Sequence, residues 1–292
     1  MLLASNVAEF LQLQLIGEDI SVYKPTSLDN MVSGSIVFAK KYDEEIMDVL
    51  NRGDVLALVT SEYIGKISCP HIVSDNPRLS MAKVIDNYFR SPSECLISGT
   101  AIIESSVVIG ENVSIGEYCV IKGDVVIGDN TRIGHHVCIS GKTRIGNNCW
   151  IKSGAVIGEE GFGFERDKND INVHFPQIGD IVIGNNVFIG ANSTIERAAL
   201  DSTIIEDGVA VDDLTQVGHN VRIGKGSTLA CGAVLCGGVQ LGERCAVAPN
   251  ACIRQKLIVG DDTVIGLGAV VVKNVPGNAV YIGNPAHAMG MK

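Results

Sequence analysis

The stretch DDLTQVGHNVRIG, residues 212–224, sets one imidazole, His219, among aliphatic, glycine and small polar residues. Asn220 follows it, and Asp212 precedes it by seven positions. Imidazole titrates nearest neutrality of all side chains, so at a cleft it can take a proton from an attacking nucleophile. A second stretch, GEEGFGF, carries two aromatic rings, Phe162 and Phe164, in a segment too rich in glycine and charge to pack as core.

These residues are placed by a repeat. An isoleucine returns at every sixth position from Ile97 to Ile157, and a second tract of Ile, Val and Leu keeps the same step from Ile205 to Val271. A six-residue period fits neither an α-helix nor a half-buried strand; it fits a parallel β-helix in which three hexads close one triangular coil. Four positions after each aliphatic the residue is small, as at Val113, Cys119, Thr131, Cys149 and Cys245, with Leu257 the oversize exception. The cysteines in this slot read as small core residues. Glycine commonly follows the aliphatic, as in IGEN, IGDN and IGNN, where a tight corner favours a residue without Cβ. Between the tracts the period fails, at residues 159–177 and again at ERAALDST. The first break reads as a functional loop thrown out of the solenoid.

Residues 1–92 carry no hexads. SNVAEFLQLQL reads as a helix with Ser5 as N-cap, GSIVFA and DVLALVT as strands, and DEEIMDVLNRG as a helix stopped by Gly53. A further helix starts near Pro77, with Leu79, Ala82, Val84 and Phe89 on its apolar side. The fold class expected is therefore mainly β: a parallel β-helix over 93–292, preceded by a small α/β domain over 1–92 and a linker at RSPSECLISGT. A net charge of -10 argues against nucleic acid as a partner. No run is apolar and long enough to span a bilayer, and the N-terminus lacks the charge pattern of a signal peptide, so a cytoplasmic protein without a transmembrane segment is expected. Nine cysteines without a CxxC speak against a disulfide framework or a structural zinc site. His135 and His136 are adjacent and His174 lies in the loop, so the three spaced histidines of a metal-dependent carbonic anhydrase of the same solenoid type are not apparent, and no metal is expected.

With its GFGF loop joined to PQIGDIVIGNNVFIGANSTIERAALDSTII and the His219 segment, the chain resembles the left-handed β-helix acyltransferases. Among them it is most similar to the N-acyltransferases of lipid A synthesis, which act on UDP-3-O-acyl-glucosamine. The resemblance implies a left-handed coil and a homotrimer with active sites between subunits. It makes His219 the general base toward a sugar amine, Asp212 the carboxylate that orients the ring, and Gly237 the main-chain donor to the thioester oxygen. Asn220 becomes a contact to the acceptor, and Phe162 and Phe164, with the N-terminal domain, hold the nucleotide sugar. Phe38 and Tyr42 become candidates to stack on its base.

The chain departs from that pattern in three places. IVFAKKY is two residues shorter between Phe38 and Tyr42 and lacks an Asn, leaving uridine and thymidine both open. Lys256 stands where those enzymes carry a second His. The ending VVVKNVPGNAVYIGNPA looks like the last coil of coenzyme A-dependent sugar acyltransferases, which makes Lys273 and Gly283 candidates along the coenzyme path. The leading expectation is thus acyl transfer from acyl-CoA to the amine of a nucleotide-linked amino sugar for a surface polysaccharide, with no permanently bound cofactor. The alternative is the lipid A reaction itself, with acyl carrier protein as donor.

Overall fold

In a computed structural model that describes residues 1–51, 53–90, 96–285 and 287–291, the chain divides into two compact units, Met1–Pro92 and Ser93–Lys292. The second is a solenoid of two- to five-residue strands stacked in three sheets. Face I runs from Ser114–Ile115 to His287–Met291, face II from Ile102–Ile103 to Val270–Val271, and face III from Val108–Ile109 to Ile258–Val259. Successive strands of a face pair in parallel, as Ile121 with Ile139 and Val217 with Leu235, so residues eighteen apart lie directly above one another. Only the last strand of face I, His287–Met291, runs antiparallel, against Ala279–Ile282.

The hexad is legible in this geometry. The sixth-position aliphatics and the small residues four places on point inward together, Ile121 with Val125 and Ile151 with Ala155, and form one continuous core along the axis. The glycine after each aliphatic sits under the next coil: a Cβ on Gly110 would lie 2.3 Å from Asp129 Oδ1, and one on Gly190 would lie 2.2 Å from the main chain of Asp212. The next two positions divide the remaining work. Asp129, Asn147, Asn185 and Asp207 accept the main-chain N–H one coil back through a side-chain oxygen at 2.6–2.9 Å. Asn112, Asn130, Asn148 and Asn186 take the left-handed backbone that turns the corner, which Asn tolerates better than most residues.

Polar residues enter the core only where their hydroxyls join the ladder. Thr131, fully buried, donates to Gly146 O at 2.9 Å and accepts from Cys149 N at 3.1 Å. Cys119, Cys149 and Cys245 are buried, and burial raises each thiol above its ordinary pKa. Their Sγ–H groups point at main-chain carbonyls, Gly134 O, Gly184 O and Gly260 O. They are core residues, as the repeat implies.

The first unit carries a five-stranded sheet ordered Leu15–Ile16, His71–Val73, Val55–Val59, Ser35–Ala39, Lys24–Pro25, parallel except for the first strand. Helices α1 (Ala4–Leu11), α2 (Glu44–Asn51) and α3 (Pro77–Val84) accompany it. Two expectations need correction. Ser5 lies inside α1 rather than at its N-cap, and Asp19 takes over the capping, accepting Ser5 N at 2.8 Å and Ser5 Oγ at 2.7 Å. In α3, Leu79 is exposed while Met81 and Val84 are buried, and Asn76 caps the helix through Leu79 N. Of the expected linker, residues 91–95 lie outside the described residues. Among the described residues no helix is long and apolar enough to cross a membrane.

Thr131→Val preserves shape but strands a buried N–H on Cys149 and removes a donor from Gly146. We expect a loss of about 1–3 kcal/mol, read as a lower denaturation midpoint with the β spectrum intact. Unchanged stability would show that the buried hydroxyls take no part in the ladder.

Candidate active site

The two breaks in the hexad period leave the solenoid at one edge. Ile157 and Ile183 stand 26 positions apart, and Ile195 and Ile205 ten, where six suffice elsewhere; both intervals span the edge between faces II and III. On face II, Val156–Ile157, Thr194–Ile195, Gln216–Val217 and Val234–Leu235 are consecutive strands, so His219 turns the same edge one coil after the second break. Two long detours and the imidazole therefore stand in one file.

The first detour is an ordered hairpin, with Phe164–Arg166 pairing antiparallel to Asn172–His174. Its tip is tied by Asp167, whose Oδ1 accepts from Asn169 N and Ile171 N at 2.7 and 3.0 Å; these bonds hold its carboxyl below the usual range. Its base is anchored by Gln177, whose buried side-chain oxygen accepts from Gly161 N at 2.8 Å while its main-chain N–H donates to Glu160 Oε2 at 2.8 Å. Phe162, 83% exposed, leans against Phe164 at 5.1 Å, and Phe164 against His174 at 5.1 Å.

Between hairpin and coil lies a groove of about 410 Å³ whose walls include Phe162, Glu196, His219, Cys236, Gly237 and Lys256. The imidazole is fixed from three sides. Its Nδ1 lies 3.0 Å from Asn220 Oδ1. That same oxygen accepts Ala199 N–H at 2.9 Å, and a main-chain N–H can donate only to the oxygen of an amide, so the orientation of Asn220 is set. Nδ1 must then be the donor, and the neutral ring carries its lone pair on Nε2. Beneath the ring is Gly237, where a Cβ would fall 2.5 Å from Nε2. On the third side Glu196 Oε2 accepts His219 N at 3.0 Å, and its Oε1 accepts Gln216 Nε2 at 2.8 Å. An imidazole so held can take a proton at Nε2 and return it. Nearby, Gly237 N–H donates to no protein group among the described residues. Burial and the neighbouring Cys252 raise the Cys236 thiol, so it stays protonated beside the base.

The structure thus gathers His219, Asn220, Gly237, Phe162 and Phe164. Lys273 stands exposed in the same file, three coils beyond His219 through Gly237 and Gln255. Four expectations fare differently. Asn220 spends its carbonyl oxygen on the ring and on Ala199, so its carbonyl serves to position His219 rather than to contact an acceptor. Asp212 turns the edge between faces I and II and is exposed, so within one chain it does not orient the ring. Its neighbour Asp213 is engaged by Lys152 at 2.6 Å, which holds the carboxyl below the ordinary range. Gly283 follows the face I strand Ala279–Ile282, away from the His219 file, and its carbonyl accepts Val270 N. Phe38 and Tyr42 do not form a clamp: Phe38 packs with the core beside α1 and α3, Tyr42 with the core beside α2. The Tyr42 ring is taken by Lys66 Nζ, 3.8 Å from its centroid, and by Tyr63 at 5.2 Å. Sequence reasoning missed Glu196 and Gln177; their signal was a carboxylate and an amide at the two ends of the interrupted hexads. Among the described residues no cluster of three or more His, Cys, Asp or Glu could hold a metal ion.

Residues 106–141 match the family described as bacterial transferase hexapeptide (six repeats), and residues 124–159, 180–212 and 215–254 match the hexapeptide repeat of succinyl-transferase. The UDP-3-O-acylglucosamine N-acyltransferase of Campylobacter lari is 36% identical over 295 residues, covering 96% of this chain and 92% of that protein. The chain belongs to the UDP-3-O-acylglucosamine N-acyltransferase family. A second member, from Delftia acidovorans, is 45% identical over 194 residues, 66% of this chain and 58% of that one. Among solved structures, the UDP-N-acetylglucosamine acyltransferase of Campylobacter jejuni superposes with a TM-score of 0.60 at 25% identity, over 67% of this chain and 75% of that one. LpxA of Acinetobacter baumannii gives 0.59 at 33% identity, over 67% and 74%. The fold is the left-handed β-helix of these acyltransferases, and the chain is an N-acyltransferase. The relatives carry the name of the lipid A reaction, which favours that alternative over the polysaccharide expectation.

Asn220→Gly keeps the left-handed corner (φ 60°) but removes the acceptor from Nδ1. In the wild type the neutral ring should show a protonated Nδ1 and a bare Nε2 in its 15N shifts, and the variant a mixture of tautomers. An identical pair of shifts in both proteins would mean that Asn220 does not set the proton.

Proposed function

We propose that this chain moves an acyl group from a thioester to the amine of a UDP-3-O-acylglucosamine, with His219 as general base. The observation that carries the reading is the set tautomer: a bare Nε2 over Gly237, facing a groove walled by the hairpin. The amine nitrogen forms the C–N bond while Nε2 takes its proton. Collapse of the tetrahedral adduct breaks the C–S bond, and the imidazolium protonates the departing thiolate, so the ring ends as it began. Gly237 N–H, without a protein acceptor among the described residues, would steady the oxyanion, a contribution of about 10²–10³ in rate where such donors have been removed.

The hairpin aromatics Phe162 and Phe164 and the α/β unit are assigned to the nucleotide sugar. In that unit Phe38 borders a cleft of about 460 Å³ with Thr26, Ser27 and Asp29, and the Thr26 hydroxyl is buried without a partner among the described residues. This supports one aromatic face for the base rather than a two-ring clamp. Lys256 in the groove and Lys273 farther along the file favour the phosphate of a pantetheine arm, which acyl-CoA and acyl carrier protein share. The name of the relatives specifies the acceptor and not the donor, and carrier protein is proposed here from the resemblance to the lipid A enzymes. A homotrimer would bring a neighbouring copy to this edge, and only from there could Asp212 address the ring. A cytoplasmic location is part of the same proposal.

His219→Ala should leave the solenoid folded and lower N-acylation of UDP-3-O-acylglucosamine by about 10²–10⁴. A normal rate in the folded variant would remove His219 from the mechanism. Turnover with hydroxyacyl carrier protein should exceed that with short acyl-CoA at equal concentration; the reverse order would restore the coenzyme A reading.

A further inference from the structure

Glu196 is the one carboxylate among the described walls of the groove. Its place follows from the register: it is the first residue past the face II strand Thr194–Ile195, one coil before the strand that leads into His219. Glycine is the commonest residue at this position of the hexad, and a charge half-enclosed beside the base calls for a reason. Its known bonds account for part of it. Oε2 takes His219 N–H and Oε1 takes the Gln216 amide, which is itself oriented by the Thr194 hydroxyl. An ionised carboxylate offers about four lone-pair directions, so two remain. The hairpin base passes close over it: a Cβ on Gly161 would come within 2.3 Å of Oε2, and only glycine lets the strand approach so near. The charge is thereby sheltered on one side and open to the groove on the other.

We infer that Glu196 selects an amine acceptor by receiving its ammonium form beside His219. The inference rests on the acyl-transfer reading above and adds the group that recognises nitrogen over oxygen. A sugar amine near neutrality is partly protonated, whereas a hydroxyl in its place carries no charge. The carboxylate forms a charge-assisted hydrogen bond to –NH3⁺ and sets the nitrogen beside Nε2. Proton balance is then complete: the ammonium gives one proton to Nε2, which releases it to solvent. The free amine attacks, its second proton follows through the same ring to the thiolate, and one hydrogen stays on the amide. Lys256, on the far wall, is a cation and cannot serve this purpose.

The test compares two ligands on three proteins: UDP-3-O-acylglucosamine, and the analogue with a hydroxyl in place of the amine, titrated onto wild type, Glu196→Gln and Glu196→Asp. Glu196→Gln should weaken binding of the amine about ten- to a hundredfold, with the loss fading as pH rises past the pKa of the amine, and leave the hydroxyl analogue unchanged. Glu196→Asp should keep most of the preference for the amine. Equal weakening of both ligands, or no change in either, would overturn the assignment and leave Glu196 as a prop for the main chain of His219. If wild type binds the hydroxyl analogue but not the amine, the inference fails alone; if it binds neither, the functional reading falls and takes this inference with it.

Discussion

Stacking at a fixed register is the constraint on which the site depends. Because every third hexad returns to the same face, residues eighteen apart lie above one another at about 4.8 Å, the spacing of hydrogen-bonded strands. His219, Gly237, Gln255 and Lys273 become neighbours by arithmetic rather than by a folded cleft. The same arithmetic explains the glycines. Each coil presses on the next, so a side chain at Gly190 or Gly237 would drive into main chain or ring. A β-helix cannot open a pocket in its interior, where Ile, Val and small residues fill every layer. Chemistry has to be mounted on an edge, and the edge chosen is the one where two interrupted hexads release chain.

Holding an imidazole on such an edge requires more than exposing it. A solvated ring would sample rotamers and both neutral tautomers. Three different kinds of contact remove that freedom here: an amide oxygen whose own orientation is fixed by Ala199 N–H, a glycine floor that admits the ring flat, and a carboxylate that pins the main chain. Asn220 stands at the corner that the hexad also gives to Asn112, Asn130, Asn148 and Asn186, but its bond to a ring, the carboxylate and the glycine floor are not set by the repeat. They come from residues just past the aliphatic position, where the repeat tolerates variation because those side chains face outward.

That division also explains what the sequence disclosed. The period, the small slot and the loop were legible because each core position repeats many times, and the fold and the stacking of Gly237 on His219 follow directly, whereas Phe162 and Phe164 were assigned through the family resemblance. Single-copy features were not legible. Glu196 looks like any edge carboxylate until its distance to His219 N is known, and Asn220 next to a histidine could as well point at a ligand. In the α/β unit, Phe38 and Tyr42 are four positions apart, close enough to suggest one clamp. Strand alternation sends Phe38 to one side of the sheet, and the turn after Ala39 carries Tyr42 to the other. Ser5 failed as a cap for a related reason: Asp19, fourteen residues away, competes for the same N–H groups. Periodic burial is a local property of sequence, whereas partner choice by a polar side chain is settled across the chain.

Why two detours can leave one edge without unravelling the stack is a question of where each coil draws its stability. In a solenoid a coil bonds only to its neighbours, so an insertion at a corner leaves the ladders above and below intact. The cost is loop closure, which grows slowly with length, about 0.6 kcal/mol for each doubling. The longer detour offsets it by pairing with itself as a hairpin, tying its tip with Asp167 and burying Gln177 at its root. Ladder bonds resume at once on the far side, Gly146 N to Ile183 O and Gly184 N to Ile205 O. Rigid stacking beneath and self-contained loops above are therefore separate devices. Residues on the hairpin, such as Phe162, can change to suit an acceptor while the base, its tautomer and its floor stay in register.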